Sequence, residues 1–134
     1  MLAALFTGGT VKRAGFEDVL AATKDAQRFV LINTLPASEQ DCLIANTLLA
    51  DREETVINEM LTQYEKVERK IIVYGKNSTD TTVDKKYRQL LSLGLGEVFV
   101  YYGGLFEWML LQDIYGEREF PTTRKVVDLL KYRG

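Results

Sequence analysis

The sequence predicts one α/β domain with a central, mostly parallel sheet. Three segments, residues 29–32, 71–74 and 98–101, are unbroken runs of apolar, β-branched and aromatic side chains, which is typical of strands buried on both faces. The segments between them carry apolar residues at helical spacing. The length of 134 residues corresponds to about one domain with one hydrophobic core.

The N-terminal part of the chain predicts several short elements. Residues 10–12 are expected to form an edge strand, and Gly15 is expected to cap the helix that follows. Pro36 ends the loop after the first buried strand, because proline disfavours helix at the preceding residue and cannot extend a sheet. Residues 38–41 are expected to make one helical turn. Residues 43–49 are expected to form a short third strand that an asparagine interrupts.

Two helices are predicted on either side of the middle strand. Asp51 begins a sequence that resembles a capping box, and an apolar stripe from Val56 to Tyr64 follows at helical spacing. The next helix is expected to begin at Thr81 and to end at Gly94, which would act as a left-handed cap.

After the last strand, a Gly-Gly turn leads into a predicted helix over residues 105–112. Trp108 lies on the apolar face of that helix, so we expect it to be buried. Thr122 or Thr123 is expected to cap a final amphipathic segment that runs to Leu130.

The composition excludes several classes of function. Lys and Arg number 17 and Asp and Glu number 19, which gives a net charge of −2, so we expect no nucleic-acid and no membrane partner. The absence of histidine removes the commonest metal ligand and general base. The single cysteine, Cys42, excludes internal disulfides and thiolate metal clusters and suits a reducing compartment. We therefore expect no metal, no cofactor and a cytoplasmic location.

The loop after the middle strand is the expected binding site. It contains Gly75, Lys76, Asn77, Ser78, Thr79 and Asp80. In a parallel sheet, ligands bind beyond the carboxyl ends of the strands, where loop N–H groups and the next helix N-terminus converge. Lys76 and the loop amides are expected to form a weak anion-binding bowl, which the charge of Asp80 offsets. A solvated turn is the competing interpretation, and Ser78 is expected only to form hydrogen bonds.

Residues 98–108, Val-Phe-Val-Tyr-Tyr-Gly-Gly-Leu-Phe-Glu-Trp, resemble the rhodanese-like domains, in which the last strand leads to a Gly-Gly turn and a tryptophan follows four residues later. Residues 71–74 lie where the active-site strand of that family belongs, and residues 90–94 are similar to the end of its next helix. The resemblance covers roughly residues 10–112. It implies a three-layer α/β/α domain with a five-stranded, mostly parallel sheet, followed by a C-terminal helical extension over residues 113–134.

The resemblance also implies functional groups that this sequence lacks. Active members carry a persulfide on a cysteine directly after the middle strand, and that position is occupied here by Gly75. Phosphatases with this fold have an arginine in the following loop, and this loop has none. The Asp-x-Arg element that braces the site in the family is replaced by Asn33, Thr34 and Leu35. The resemblance therefore implies a domain without sulfurtransferase activity.

Three functions are compatible with these observations. The first is a binding or scaffolding module for a protein partner or a small anion. The second is a non-standard sulfurtransferase or sulfur carrier in which Cys42 takes the persulfide, although the neighbouring Asp41 would raise the pKa of that thiol. The third is a self-associating structural protein, such as a homodimer, that buries residues 1–6 or the C-terminal helix against a second copy.

Overall fold

A computed structural model describes residues 10–62 and 69–134. None of the helices in these two ranges is both long and apolar enough to cross a membrane. The apolar residues 1–6 and Tyr64 lie outside the described residues. The strands are β1 (Phe29–Asn33), β2 (Lys70–Tyr74) and β3 (Val98–Tyr101). The α-helices are α1 (Phe16–Lys24), α2 (Ala50–Thr62), α3 (Thr82–Ser92) and α4 (Gly104–Tyr115). Two 3-10 helices span Ala37–Glu39 and Leu129–Tyr132.

The three strands form a parallel sheet in the order β1-β2-β3, as the apolar runs predict. In the register, Tyr74 at the end of β2 lies beside Asn33 on one side and Tyr101 on the other. The carboxyl ends of all three strands therefore meet at one edge of the sheet. Because β2 is the central strand, the loop that follows it lies in the middle of that edge.

The expected five-stranded sheet is wrong for the described residues, in which three strands occur. On each side, one further residue makes a single parallel bridge, Arg13 with Val100 and Thr47 with Leu31. The bridge at Arg13 does not extend into a strand, because α1 begins a few residues later. The second is isolated because Asn46 has a left-handed backbone with φ of 67°, which turns the chain out of the strand direction. The strands predicted over residues 10–12 and 43–49 are thus reduced to bridges.

Helices cover both faces of the sheet. Alternate side chains of β2 point to opposite faces, so Ile72 and Tyr74 join one core cluster and Ile71 and Val73 join the other. The first cluster includes residues of α1 and α4, and the second includes residues of α2 and α3. This arrangement gives the expected three layers. Trp108 is completely buried in the first cluster, which confirms its predicted position.

One helix end differs from the sequence-based prediction and another agrees. The helix α2 begins at Ala50, so Asp51 lies in its first turn and the predicted capping box is wrong. The helix α3 has Leu93 as its C-cap, and Gly94 follows with φ of 99°, as predicted for a glycine at this position.

The C-terminal part is less helical than expected. Among the described residues, no helix begins at Thr122 or Thr123; the chain is irregular after α4 until the 3-10 helix Leu129–Tyr132. The reason is that the backbone here pairs with another segment. Ala45 N–H donates to Pro121 O and Thr123 N–H donates to Leu43 O, which holds this stretch extended.

Gly104→Ala should lower the free energy of unfolding by about 1–3 kcal/mol, the usual cost of a non-glycine residue in the left-handed region. Gly104 has φ of 68°, and a β-carbon there would lie 2.8 Å from Gly75 O and 3.0 Å from Asn77 N. Urea denaturation measures the change. Gly96→Ala is the matched control, since nothing lies within 4 Å of a β-carbon at that position. A Gly104→Ala variant as stable as the parent would contradict this packing.

Candidate functional site

The six predicted loop residues lie together where β2 ends. Gly75 is buried, Lys76, Asn77 and Asp80 are half-buried, and the other two are exposed. The loop continues almost directly into α3. This is the position at which parallel sheets bind ligands.

The N-terminus of α4 is attached to this loop. Leu105 N–H donates to Gly75 O and Phe106 N–H donates to Lys76 O, each at 2.9 Å. The first amides of a helix have no partner within the helix, and here two of them bind loop carbonyls. They are therefore not free to bind an external anion.

The carboxylate of Asp80 occupies the interior of the loop. Its Oδ2 accepts a hydrogen bond from Lys76 N–H at 3.0 Å, and its Oδ1 accepts from Thr82 N–H at 3.0 Å and from the Thr82 hydroxyl at 2.6 Å. Partial burial by itself raises the pKa of Asp80, but these hydrogen bonds and the charge of Lys76 lower it overall. The loop thus contains an ionised carboxylate of its own.

There is little space for a side chain at position 75. A β-carbon there would lie 2.6 Å from Asp80 Oδ2 and 2.9 Å from a methyl carbon of Val83. The backbone at Gly75 is not left-handed, since the glycines with positive φ are Gly94, Gly104 and Gly116. A cysteine would therefore meet the carboxylate rather than a strained backbone.

Two further loop amides have acceptors within the loop. Asn77 Oδ1 accepts from Thr79 N–H at 3.0 Å, and Asn77 O accepts from Asp80 N–H at 3.2 Å. Ser78 is exposed, and its hydroxyl makes no hydrogen bond within the described part of the chain. The amides of Lys76, Thr79 and Asp80 are therefore used inside the loop.

Lys76 is paired with a residue that the sequence did not indicate. Its Nζ lies 3.0 Å from Glu39 Oε1, in the 3-10 helix Ala37–Glu39 that follows β1. The two residues are far apart in the sequence, and the pair depends on the parallel order of β1 and β2. The cation expected to support anion binding is thus partly neutralised.

Cys42 does not have the environment of a reactive thiol. It is fully buried, and its Sγ donates a hydrogen bond to Arg124 O at 3.2 Å. Burial raises the pKa of the thiol, and hydrogen bonds with the Thr122 side chain and the Arg124 backbone oppose that rise only in part. Nucleophilic cysteines require a lowered pKa and access to solvent.

Tyrosines at the strand ends form a buried polar framework that sequence reasoning missed. Tyr74 Oη lies 2.6 Å from Thr47 Oγ1 and accepts from Ile44 N–H at 3.2 Å, and burial raises the Tyr74 pKa far above its ordinary value. Tyr102 donates to Asp84 Oδ1 at 2.6 Å; burial, together with that carboxylate, raises the Tyr102 pKa to about 12. These hydroxyls are neutral structural groups, and their partners are distant in sequence.

Solved structures with the same architecture identify the fold. The rhodanese-like domain of the Anabaena sp Alr3790 protein is 20% identical at a TM-score of 0.54, and the match covers 89% of this chain and 87% of that one. The chain has a rhodanese-like fold. The Saccharomyces cerevisiae single-domain sulfurtransferase RDL2 is 16% identical at a TM-score of 0.54, with 82% of this chain and 98% of that one covered.

A third similar structure is named for a different activity. The As-Sb reductase from Leishmania major is 16% identical at a TM-score of 0.51, with 81% of each chain covered. The sequence matches no protein-family model and has no significant match among curated proteins. At these identities the similarity establishes the fold, while the activity has to be inferred from the site.

Asp80→Asn should lower the free energy of unfolding at pH 7 by roughly 1–3 kcal/mol, because hydrogen bonds to a charged group are lost. The pKa of Asp80 is lowered in the folded state, so the carboxylate contributes stability above its unfolded pKa of about 3.9 and loses it as the pH falls through the folded pKa. Urea unfolding at pH 7 and at acidic pH measures this. The difference between variant and parent should shrink on acidification.

Asp113→Asn is the control for this experiment, because Asp113 is an exposed residue of α4. It should change stability little at either pH. A pH-independent effect of Asp80→Asn would contradict the role of the ionised carboxylate.

Proposed function

We propose that this rhodanese-like domain is a binding or scaffolding module that does not transfer sulfur. The observation that supports the proposal is the Asp80 carboxylate, which accepts hydrogen bonds from Lys76 and Thr82 inside the loop. A persulfide enzyme needs those donors for a thiolate. In this chain the same donors bind the carboxylate of Asp80, which cannot carry a persulfide.

The proposed partner is a protein rather than a small anion. Lys76 is paired with Glu39, and the amides of Lys76, Thr79 and Asp80 bind acceptors within the loop, which reduces the positive potential available to a free anion. Large apolar side chains are exposed elsewhere, including Ile114 and Tyr115 near the end of α4, which are 70% and 63% exposed. Protein interfaces are enriched in such side chains. We also propose a cytoplasmic location, where a single unpaired thiol is stable.

Sulfur transfer through Cys42 is the alternative. The similar structure of RDL2, which is named a sulfurtransferase, favours it, while the burial of Cys42 and the raised thiol pKa weigh against it. Self-association is a separate possibility, and analytical ultracentrifugation distinguishes a monomer from a dimer.

The purified protein should show no thiosulfate:cyanide sulfurtransferase turnover above that of a Cys42→Ser variant, because neither Cys42 nor the loop offers a thiolate of low pKa. Thiocyanate formation is followed by its coloured iron complex. RDL2, assayed in parallel, is the positive control. Turnover that disappears in Cys42→Ser would replace the proposed function with the sulfur-carrier alternative.

Gly75→Cys, in a Cys42→Ser background, should give a thiol that titrates at or above the free value of about 8.5. The reason is that Asp80 Oδ2 would lie 2.6 Å from the new β-carbon and its charge would oppose ionisation. Adding Asp80→Ala should lower that thiol pKa, because the amides of Lys76 and Thr82 become free to stabilise a thiolate. The pH dependence of iodoacetamide alkylation measures both values. A low thiol pKa with Asp80 still in place would show that the carboxylate does not occupy the anion position.

A further inference from the structure

A small pocket lies at the edge of the sheet opposite the loop that follows β2. Its floor is formed by Phe29, Ile72 and Phe99, and its volume is ≈ 150 Å³. Phe29 is the first residue of β1 and Phe99 is the second residue of β3, so the pocket lies at the amino ends of the strands. We call it the amino-end pocket. It shares no lining residue with the loop after β2.

The parallel register of the strands builds this pocket. Phe29 lies beside Lys70, and Ile72 lies beside Phe99. Residues two apart in a strand point to the same face of a sheet, so Lys70 and Ile72 share one face with the two phenylalanines. Phe29 and Phe99 pack against the core cluster that contains Ile72, yet each remains half-buried. The helices on this face therefore leave two aromatic side chains accessible from the pocket.

One ammonium group at the rim of the pocket is available to a ligand. Lys70 lines the pocket, and its Nζ lies 5.9 Å from the centre of the Phe99 ring. In residues 10–62 and 69–134, Lys70 takes part in none of the ion pairs. The ammonium of Lys12 lies 5.6 Å from the same ring centre, but it donates a hydrogen bond to Gly96 O at 3.2 Å. Lys70 therefore supplies the positive charge that a bound anion would meet.

The two other charged residues at the rim already have partners. The Arg13 guanidinium lies 4.8 Å from the centre of the Tyr102 ring, and Tyr102 is not part of the pocket lining. Asp18 Oδ2 accepts a hydrogen bond from Gly15 N–H at 2.9 Å. This carboxylate also lies in the first turn of α1, where the helix dipole favours a negative charge. A ligand in the pocket thus meets the cation of Lys70 beside two aromatic rings, and the complementary charge is negative.

The volume of the pocket limits the size of the ligand. Apolar cavities of about 150 Å³ hold one benzene ring, whereas pockets for drug-sized molecules measure about 300–1,000 Å³. Phenylalanine rings favour another ring in an edge-to-face or offset-stacked arrangement. One six-membered aromatic ring that carries one carboxylate group satisfies these constraints.

We propose that the amino-end pocket binds a small aromatic carboxylate of the benzoate class. The ring of the ligand packs against Phe29, Ile72 and Phe99, and its carboxylate binds the Lys70 ammonium. The pocket and the loop after β2 lie at opposite edges of the sheet, so this proposal does not depend on the proposed binding or scaffolding function.

A titration of the isotope-labelled full chain with benzoate, followed by nuclear magnetic resonance, tests the site. Benzoate should shift the methyl signals of Ile72 and the ring signals of Phe99 saturably, while the methyl signals of Ile57, which lies in the opposite core cluster, should stay unchanged. Benzamide, which lacks the charge, and acetate, which lacks the ring, should each bind at least fivefold more weakly. A smaller difference, or the absence of saturable shifts at Ile72, would overturn the proposal.

Lys70→Gln separates the role of this cation from a general effect of net charge. Lys70 is exposed at the start of β2, so the variant should fold as the parent does. It should bind benzoate at least fivefold more weakly and benzamide with unchanged affinity. Lys24→Gln, which removes an exposed lysine of α1 outside the pocket, is the matched control and should bind benzoate as the parent does. Equal losses in the two variants, or no loss in Lys70→Gln, would contradict the assigned site.

Discussion

The structure depends on the contact between the loop after β2 and the first turn of α4. Two carbonyls of that loop, those of Gly75 and Lys76, accept the amides of Leu105 and Phe106, and the absence of a side chain at Gly104 lets the two backbones approach this closely. The contact joins the central strand to the helix that carries the buried Trp108. It also fixes the position of the loop relative to α4.

The Asp80 carboxylate explains how such a loop can be stable without a bound ligand. Converging amides at the end of a parallel strand and the start of a helix favour a negative charge. In this chain the charge is internal, held by Lys76 and Thr82. The same backbone without this carboxylate would leave the two amides to water or to an anion.

The segment after α4 contributes to the hydrophobic core. Trp108 Nε1 donates to Pro121 O, the Cys42 thiol donates to Arg124 O, and Tyr132 fills space in the same cluster. These contacts cover the lone cysteine, and Asn77 in the loop donates a hydrogen bond to Tyr132 O. The C-terminal residues are therefore part of the domain and help to form its candidate site, although they do not form the long helix that their apolar spacing predicts.

The sequence by itself determined the α/β class, the three parallel strands, the buried Trp108, the left-handed Gly94 and the loop at residues 75–80, because apolar runs, helical spacing and glycine turns are local signals. Only the tertiary structure decided that five strands become three, that Asp80 fills the loop, that Glu39 pairs with Lys76 and that Tyr132 lies in the core. Each of these depends on contacts between residues far apart in the chain. Local patterns carry no information about such contacts, since these are fixed only when the sheet and its helices pack together.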